Sequence, residues 1–305
     1  MTDCKSCASR GDCPSASASG PGPDCPSQQN AQTQSNAQTQ THNQGPELAR
    51  LHPAASIRRV FAIASGKGGV GKSTVTALLA VSLARQGLRV GVLDADLTGP
   101  SIPQAFGILD RATGTGDGIL PVRTRTDIQL MSINLLLENP EQPVVWRGPV
   151  LAQVVSQFYS EVIWDDIDVL LVDLPPGTGD VPLTVYQSLP LTGLIMVATP
   201  QDLVRMIVAK AGHMAELLNI PLLGLIENMS GFPCPHCGEM LYPFGKGRAQ
   251  DAALQLGVPL LAQLPINPEI ARLVDAGAVE EIPTDPLEPV TDLLLTLSVR
   301  MDTDG

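Results

Sequence analysis

The feature that most constrains this chain is the segment Gly66-Lys67-Gly68-Gly69-Val70-Gly71-Lys72-Ser73-Thr74, set between an apolar run at 60–65 and a helical stretch at 73–86. Its spacing fits G-x-x-x-x-G-K-[ST], and that pattern works only with a strand before it and a helix after it. Glycines let the backbone wrap around phosphate oxygens and aim N–H groups at them, beside the positive end of the helix dipole. A plain glycine turn would explain Gly66, Gly68, Gly69 and Gly71, but not the Lys-Ser pair that ends the loop. Lys72 is expected to reach the β- and γ-phosphates, and the Ser73 hydroxyl to ligate Mg2+. Lys67 is a second lysine within the loop. It is either a solvated surface side chain or a cation crossing to a nucleotide in a partner subunit, in the manner of an arginine finger.

The rest of the chain repeats this alternation. Runs rich in Val, Ile and Leu recur at 60–65, 88–94, 128–133, 169–173, 194–199, 222–228 and 260–264. Helical stretches lie at 73–86, 149–159, 201–218 and 247–256, the first stopping at Gly87 in the C′ position. Continuous apolar strands separated by helices predict an α/β fold, a doubly wound and mostly parallel sheet flanked by helices. Right-handed crossovers then bring the strand ends to one ligand-binding edge. Asp94-Ala95-Asp96 and Asp173 fall at such ends. Asp173 suits the role of organising Mg2+ and its water, and Asp96 that of orienting or deprotonating an attacking water. Asp94 reads either as a site residue or as a turn cap. The Gly177-Thr178-Gly179 turn is placed to sense a γ-phosphate. No Asn/Thr-Lys-x-Asp guanine-reading segment occurs, which favours ATP.

Composition narrows the partners. With 19 basic against 31 acidic residues the net charge is −12, a field that repels nucleic-acid backbones and anionic lipid surfaces. No run approaches the roughly 20 apolar residues that span a bilayer, and no signal-peptide pattern opens the chain, so a cytoplasmic location is expected. Residues 1–46 read as a flexible, cysteine-bearing arm, because Ser/Gly/Pro and Gln/Asn/Thr repeats cannot bury enough apolar surface to order themselves. Residues 47–305 read as the nucleotide-binding domain. Six cysteines in a reducing compartment point to metal or redox use. Cys234-Pro235-His236-Cys237 supplies two thiolates, half of a tetrahedral sulfur site, which the N-terminal arm or a second subunit on a twofold axis would complete for zinc or [4Fe–4S]; His236 as a third ligand and a thioredoxin-like redox pair are the other readings. The arm's Cys4, Cys7, Cys13 and Cys25 form a second candidate site for a cluster or zinc.

Together these residues resemble the Mrp/Nbp-type iron–sulfur cluster carrier ATPases, P-loop NTPases related to MinD and nitrogenase iron protein. The resemblance runs over about 60–282. It rests on the loop 66–74 with its extra Lys67, Asp94-Ala95-Asp96 leading into Gly99-Pro100-Ser101-Ile102-Pro103, and Trp146-Arg147-Gly148-Pro149. It continues through 173–180, Thr199-Pro200-Gln201, Glu227-Asn228-Met229-Ser230 before the cysteine pair, Phe244-Gly245 and Leu264-Pro265. It implies a homodimer with ATP and Mg2+ at the interface and a labile [4Fe–4S] cluster bridged by Cys234 and Cys237 of both chains, passed on to apo-proteins. It also implies that Asn228 and Pro265 contact the nucleotide and that Lys67 reaches the other subunit's phosphates. Some members carry C-x13-C-x2-C-x5-C near the N-terminus. Cys4, Cys7 and Cys13 match its last three positions, while Cys25 falls on the other side. Arg248 stands where a glycine is expected. Two other readings are a MinD/ParA-like positioning ATPase and a zinc-stabilised nucleotide-binding regulator. The first expects a basic patch or basic C-terminal helix, whereas 288–305 holds one Arg among several acids.

Overall fold

The computed structural model describes residues 48–97, 99, 101–137, 148–201 and 204–299. The chain opens with β1 (Ile57–Ser65), α1 (Lys72–Arg85), β2 (Val90–Asp94) and a short α2 (Ile102–Ala105). A small hairpin of β3 (Thr113–Gly114) and β4 (Ile119–Leu120) precedes β5 (Val122–Arg123) and β6 (Gln129–Met131). Then come α3 (Gly148–Ser160), β7 (Ile167–Asp173), α4 (Asp180–Ser188), β8 (Gly193–Ala198), α5 (Val204–Leu217) and β9 (Leu222–Asn228). The last third holds a hairpin of β10 (Phe232–Pro233) and β11 (Met240–Leu241), then α6 (Ala249–Leu256), β12 (Leu260–Leu264), α7 (Pro268–Asp275) and α8 (Glu288–Val299).

Eight strands form one sheet in the order β12-β9-β8-β1-β7-β2-β6-β5, every pair parallel except β5 with β6. This is the doubly wound sheet expected from the alternation, with an antiparallel finish on one side. Alternation along β1 serves both faces. Val60, Ala62 and Ala64 join one core with Val155, Phe158, Val185 and Ala252, whereas Phe61 and Ile63 join the other with Leu79, Leu83, Leu273 and Leu294. Burial on both faces is why the strands read as unbroken apolar runs.

Asp180, at the end of the segment 173–180, is the first residue of α4, whose N-terminus accommodates an acid. Of the helical stretch expected over 201–218, the described residues form helix over Val204–Leu217. The edge strand β5, with only two residues, carries no periodicity to read; Arg123 holds it by pairing with Asp127 and Asp165, each at 2.7 Å.

β1 lies between β8 and β7, so the chain leaves it for strands on opposite sides, and the loop after it emerges where the strand order reverses. Register lines up Asp94 with Asp173, Ile63 with Asp173, Ala198 with Glu227 and Leu264 with Asn228. The sheet therefore delivers these residues to one carboxyl edge, the usual ligand position in open α/β sheets.

Candidate functional site

The glycine loop needs its glycines at defined points. Gly69 and Gly71 have φ of +76° and +77°, a region hostile to side chains. A Cβ at Gly71 would also fall 2.3 Å from Asn228 Nδ2. That amide donates to the Val70 carbonyl at 2.9 Å, tying the end of β9 to the loop. Below the loop, Lys72 is buried and its ammonium meets Asp173 Oδ2 at 2.7 Å. The Ser73 hydroxyl donates to the same oxygen at 2.6 Å, and Thr76 Oγ1 donates to Oδ1 at 2.7 Å. Both carboxylate oxygens of the fully buried Asp173 are thus engaged by residues of one helical turn. The donor set of hard oxygens from Ser73 and Asp173, beside a glycine loop at the N-terminus of α1, fits Mg2+ bound with a phosphate chain.

A cavity of about 220 Å3 is lined by Lys67, the loop through Thr74, Asp96, Ser101 and Pro176. Asp94, two residues before Asp96 in this cavity's wall, is fully buried. Ser132 Oγ donates to it at 3.2 Å and the Asp96 N–H at 3.2 Å. Burial, and next the adjacent Asp173, push its pKa up from 3.8 to about 8, against the pull of Lys72. The two readings of Asp94 resolve as a neutral-leaning carboxyl under the site that also caps the turn to Asp96. Lys67 Nζ donates to Gln201 Oε1 of its own chain, so its cation projects from the loop toward the end of β8.

A second cavity, about 350 Å3 and largely apolar, adjoins the first through Gly71 and Thr74. Asn228, Met229, Phe244, Leu264 and Pro265 line it. Its size and walls suit a nucleobase, and the sequence-expected Asn228 and Pro265 both reach it.

The cysteine pair sits in the β10–β11 turn. Cys234 N donates to Glu239 O and Gly238 N to Cys234 O, each at 2.8 Å, with Gly238 at φ +73°. Backbone N–H groups of Cys237 and then His236 point at the Cys234 sulfur and lower its pKa. That arrangement favours a thiolate, the form that ligates metal. Among the described residues no group of three or more His, Cys, Asp or Glu side chains could hold a metal ion, so the pair remains a two-thiol half-site. Cys4, Cys7, Cys13 and Cys25 lie outside the described residues, as do Trp146 and Arg147.

Sequence reading overlooked Thr76, whose role becomes visible only when Asp173 arrives from a strand far along the chain. It also assigned no role to Met229 and Phe244, although both border the apolar cavity. A helix position three residues after Ser73 was the available signal for Thr76.

The family profile described as NUBPL iron-transfer P-loop NTPase matches residues 56–297. The iron-sulfur cluster carrier protein of Clostridium perfringens is 40% identical over 289 residues, covering 92% of this chain and 94% of that protein. Among solved structures, the nucleotide-binding protein of Archaeoglobus fulgidus, in complex with ADP and with Co found, is similar at 45% identity. It has a TM-score of 0.69 over 76% of this chain and 91% of that one. The cell division ATPase MinD of Pyrococcus furiosus, at 21% identity, shares the fold with a TM-score of 0.54 over 81% of this chain and all of its own, 100%.

Two outcomes follow from the buried charges. Lys72→Met should cost about 3–5 kcal/mol in urea denaturation, because it strands a buried carboxylate. The double variant Lys72→Met/Asp173→Asn should lose less than the single; an additive loss would refute the pairing. The Asp94 carboxyl keeps its proton in the folded chain up to about 8 but releases it near 3.8 when unfolded. Its stabilising contribution is complete below the unfolded value and is lost as pH rises through the folded one. Asp94→Asn should therefore flatten the fall in stability between those two pH values, measured by denaturation across a pH series. Parallel profiles for the variant and the parent would contradict it.

Proposed function

The chain belongs to the NUBPL iron-transfer P-loop NTPase family, and from that premise we propose that it is an ATP-hydrolysing carrier of a labile [4Fe–4S] cluster. It acts as a homodimer that hands the cluster to apo-proteins. The observation that carries this reading is the two-thiol turn at Cys234 and Cys237, which aims backbone N–H groups at the first sulfur and finds no further ligand among the described residues. A twofold axis beside that turn would supply four sulfurs for the cargo.

In this reading Lys72 exchanges its Asp173 partner for phosphate oxygens when nucleotide enters. Ser73 and Asp173 would hold Mg2+, which would supply neutralising charge to the phosphate chain. Asp96, at the wall of the phosphate cavity, orients the attacking water. Asn228 and Pro265 receive the base. Lys67 gives up Gln201 to reach the partner's nucleotide. The arm of residues 1–46, with Cys4, Cys7, Cys13 and Cys25, serves as a separate cysteine-bearing element. A cytoplasmic setting suits a labile cluster, and no helix among the described residues is long and apolar enough to cross a membrane. The MinD-like structure, at 21% identity, speaks for the fold alone. No observation favours the positioning reading over the carrier one.

Anaerobic reconstitution, with iron and sulfide counted per dimer, should load the wild type and leave Cys234→Ser/Cys237→Ser without the bridged cluster. Zinc without iron or sulfide at this pair would refute the carrier. Mixing inactive Lys67→Ala and Asp96→Ala chains should restore part of the ATPase rate, since one of the two composite sites would then keep both residues. A mixture as inactive as its components would remove Lys67 from the partner's site.

A further inference from the structure

The excursion that carries the two cysteines leaves the sheet at Asn228 and comes back against the end of β9 at Gly247, ahead of α6, and its two ends are fastened differently. The outgoing end is held by the protein itself. Asn228 Nδ2 donates to Val70 O at 2.9 Å, Ser230 N to Leu264 O at 2.9 Å, and Ile266 N to Gly231 O at 2.7 Å. The returning end passes close over Gly231 at Leu241 and Tyr242, and before the buried Ala249 opens α6 it makes two contacts at the sheet edge. Gly247 packs so tightly over the buried Glu227 that a Cβ there would lie 1.8 Å from its Oε1. Phe244 forms a wall of the 350 Å3 cavity but stays 45% exposed.

Between these ends the turn has little packing of its own. β10 and β11 are two residues each, and residues 235–246 are all exposed. A short isolated hairpin is marginally stable in water, so the placement of Cys234 and Cys237 depends on how firmly the ends are held. Glu227 is itself incompletely engaged: Gln263 Nε2 donates to its Oε2 at 2.6 Å, while its buried Oε1 has no hydrogen-bond partner. An unpaired buried oxygen next to the return limb marks a contact that gains if that limb settles and offers it an N–H.

The geometry points to the nucleobase as the part of the nucleotide that orders the cysteine turn, with Phe244 as the residue that transmits its presence. A planar base in the cavity covers the exposed face of Phe244 and fixes the return limb, closing the second end of the excursion. The phosphate loop meets the excursion at its outgoing end, through Val70 with Asn228 and Gly71 beside Asn228 and Met229, an end that is already held. The inference rests on the nucleotide reading above, and it assigns the coupling to the base cavity instead of to hydrolysis.

The test is hydrogen–deuterium exchange on the full chain, with ADP·Mg2+ compared with pyrophosphate·Mg2+, each saturating by calorimetry. ADP and pyrophosphate are used because a γ-phosphate that drew two subunits together would cover the turn by itself; light scattering checks that the oligomeric state is the same with both ligands. ADP should slow exchange at 231–247 by about fivefold, the low end of ordinary coupling between sites. Pyrophosphate should slow exchange at 66–76 only. Phe244→Ala should keep pyrophosphate binding and lose the ADP effect at 231–247, and Phe244→Leu should recover part of it. Equal protection of the turn by both ligands, or full ADP protection in Phe244→Ala, would overturn the inference while leaving the nucleotide site intact. Failure of ADP to bind at all would sink the nucleotide reading and this coupling with it.

Discussion

A lysine cannot be buried without an anion, and in this chain that requirement knits the centre of the sheet together. Lys72 heads α1, Asp173 ends β7, and 2.7 Å separates their charged atoms. Ser73 and Thr76 take up the remaining capacity of the carboxylate from the same turn of helix. The helix after β1 is therefore seated against the neighbouring strand by polar contacts as well as by Val75 and Leu79, both fully buried. The cluster is satisfied as it stands, yet its ammonium borders the phosphate cavity. Exchange of one anion for another is then a small rearrangement, with no charge ever left alone in the interior.

Much of this was legible in the sequence because the physics is local. The loop 66–74 announces itself by residue type and spacing, and the strands announce themselves by being apolar on both faces. Asp173 could be assigned because it closes such a run. What stayed hidden depends on contacts between distant segments. Thr76 is one more polar residue in a helix until Asp173 lies beside it, 97 positions later. Asp94 looks like its neighbour Asp96, but register sets it against Asp173 and seals it from water, and that separates their chemistry. Phe244 belongs to a segment that carries the resemblance, but its role is unread in the sequence; only the return of the chain to Asn228 gives it a wall to form.

The cysteine turn shows the same division. Spacing supplies two thiols, and Gly238 supplies the left-handed residue that closes the turn. The direction of the N–H groups at Cys234 is a property of the folded turn alone. Incompleteness is equally a property of the fold, since nearby acids and His236 do not gather into a further ligand set among the described residues. A site with strong ligands and too few of them holds its cargo only as long as something else supplies the rest.

The two-residue strand β5 has a consequence for how copies of this chain can meet. An open sheet offers unpaired backbone groups along its margin, and a long flat margin invites another sheet to continue it. Here that side ends in a strand too short to act as a template, turned antiparallel and flanked by the Arg123 ion pairs with Asp127 and Asp165. Growth by sheet extension is blunted on that flank of the described sheet, which guards against runaway stacking. Any pairing there must be read by side chains, and so can be selective and reversible.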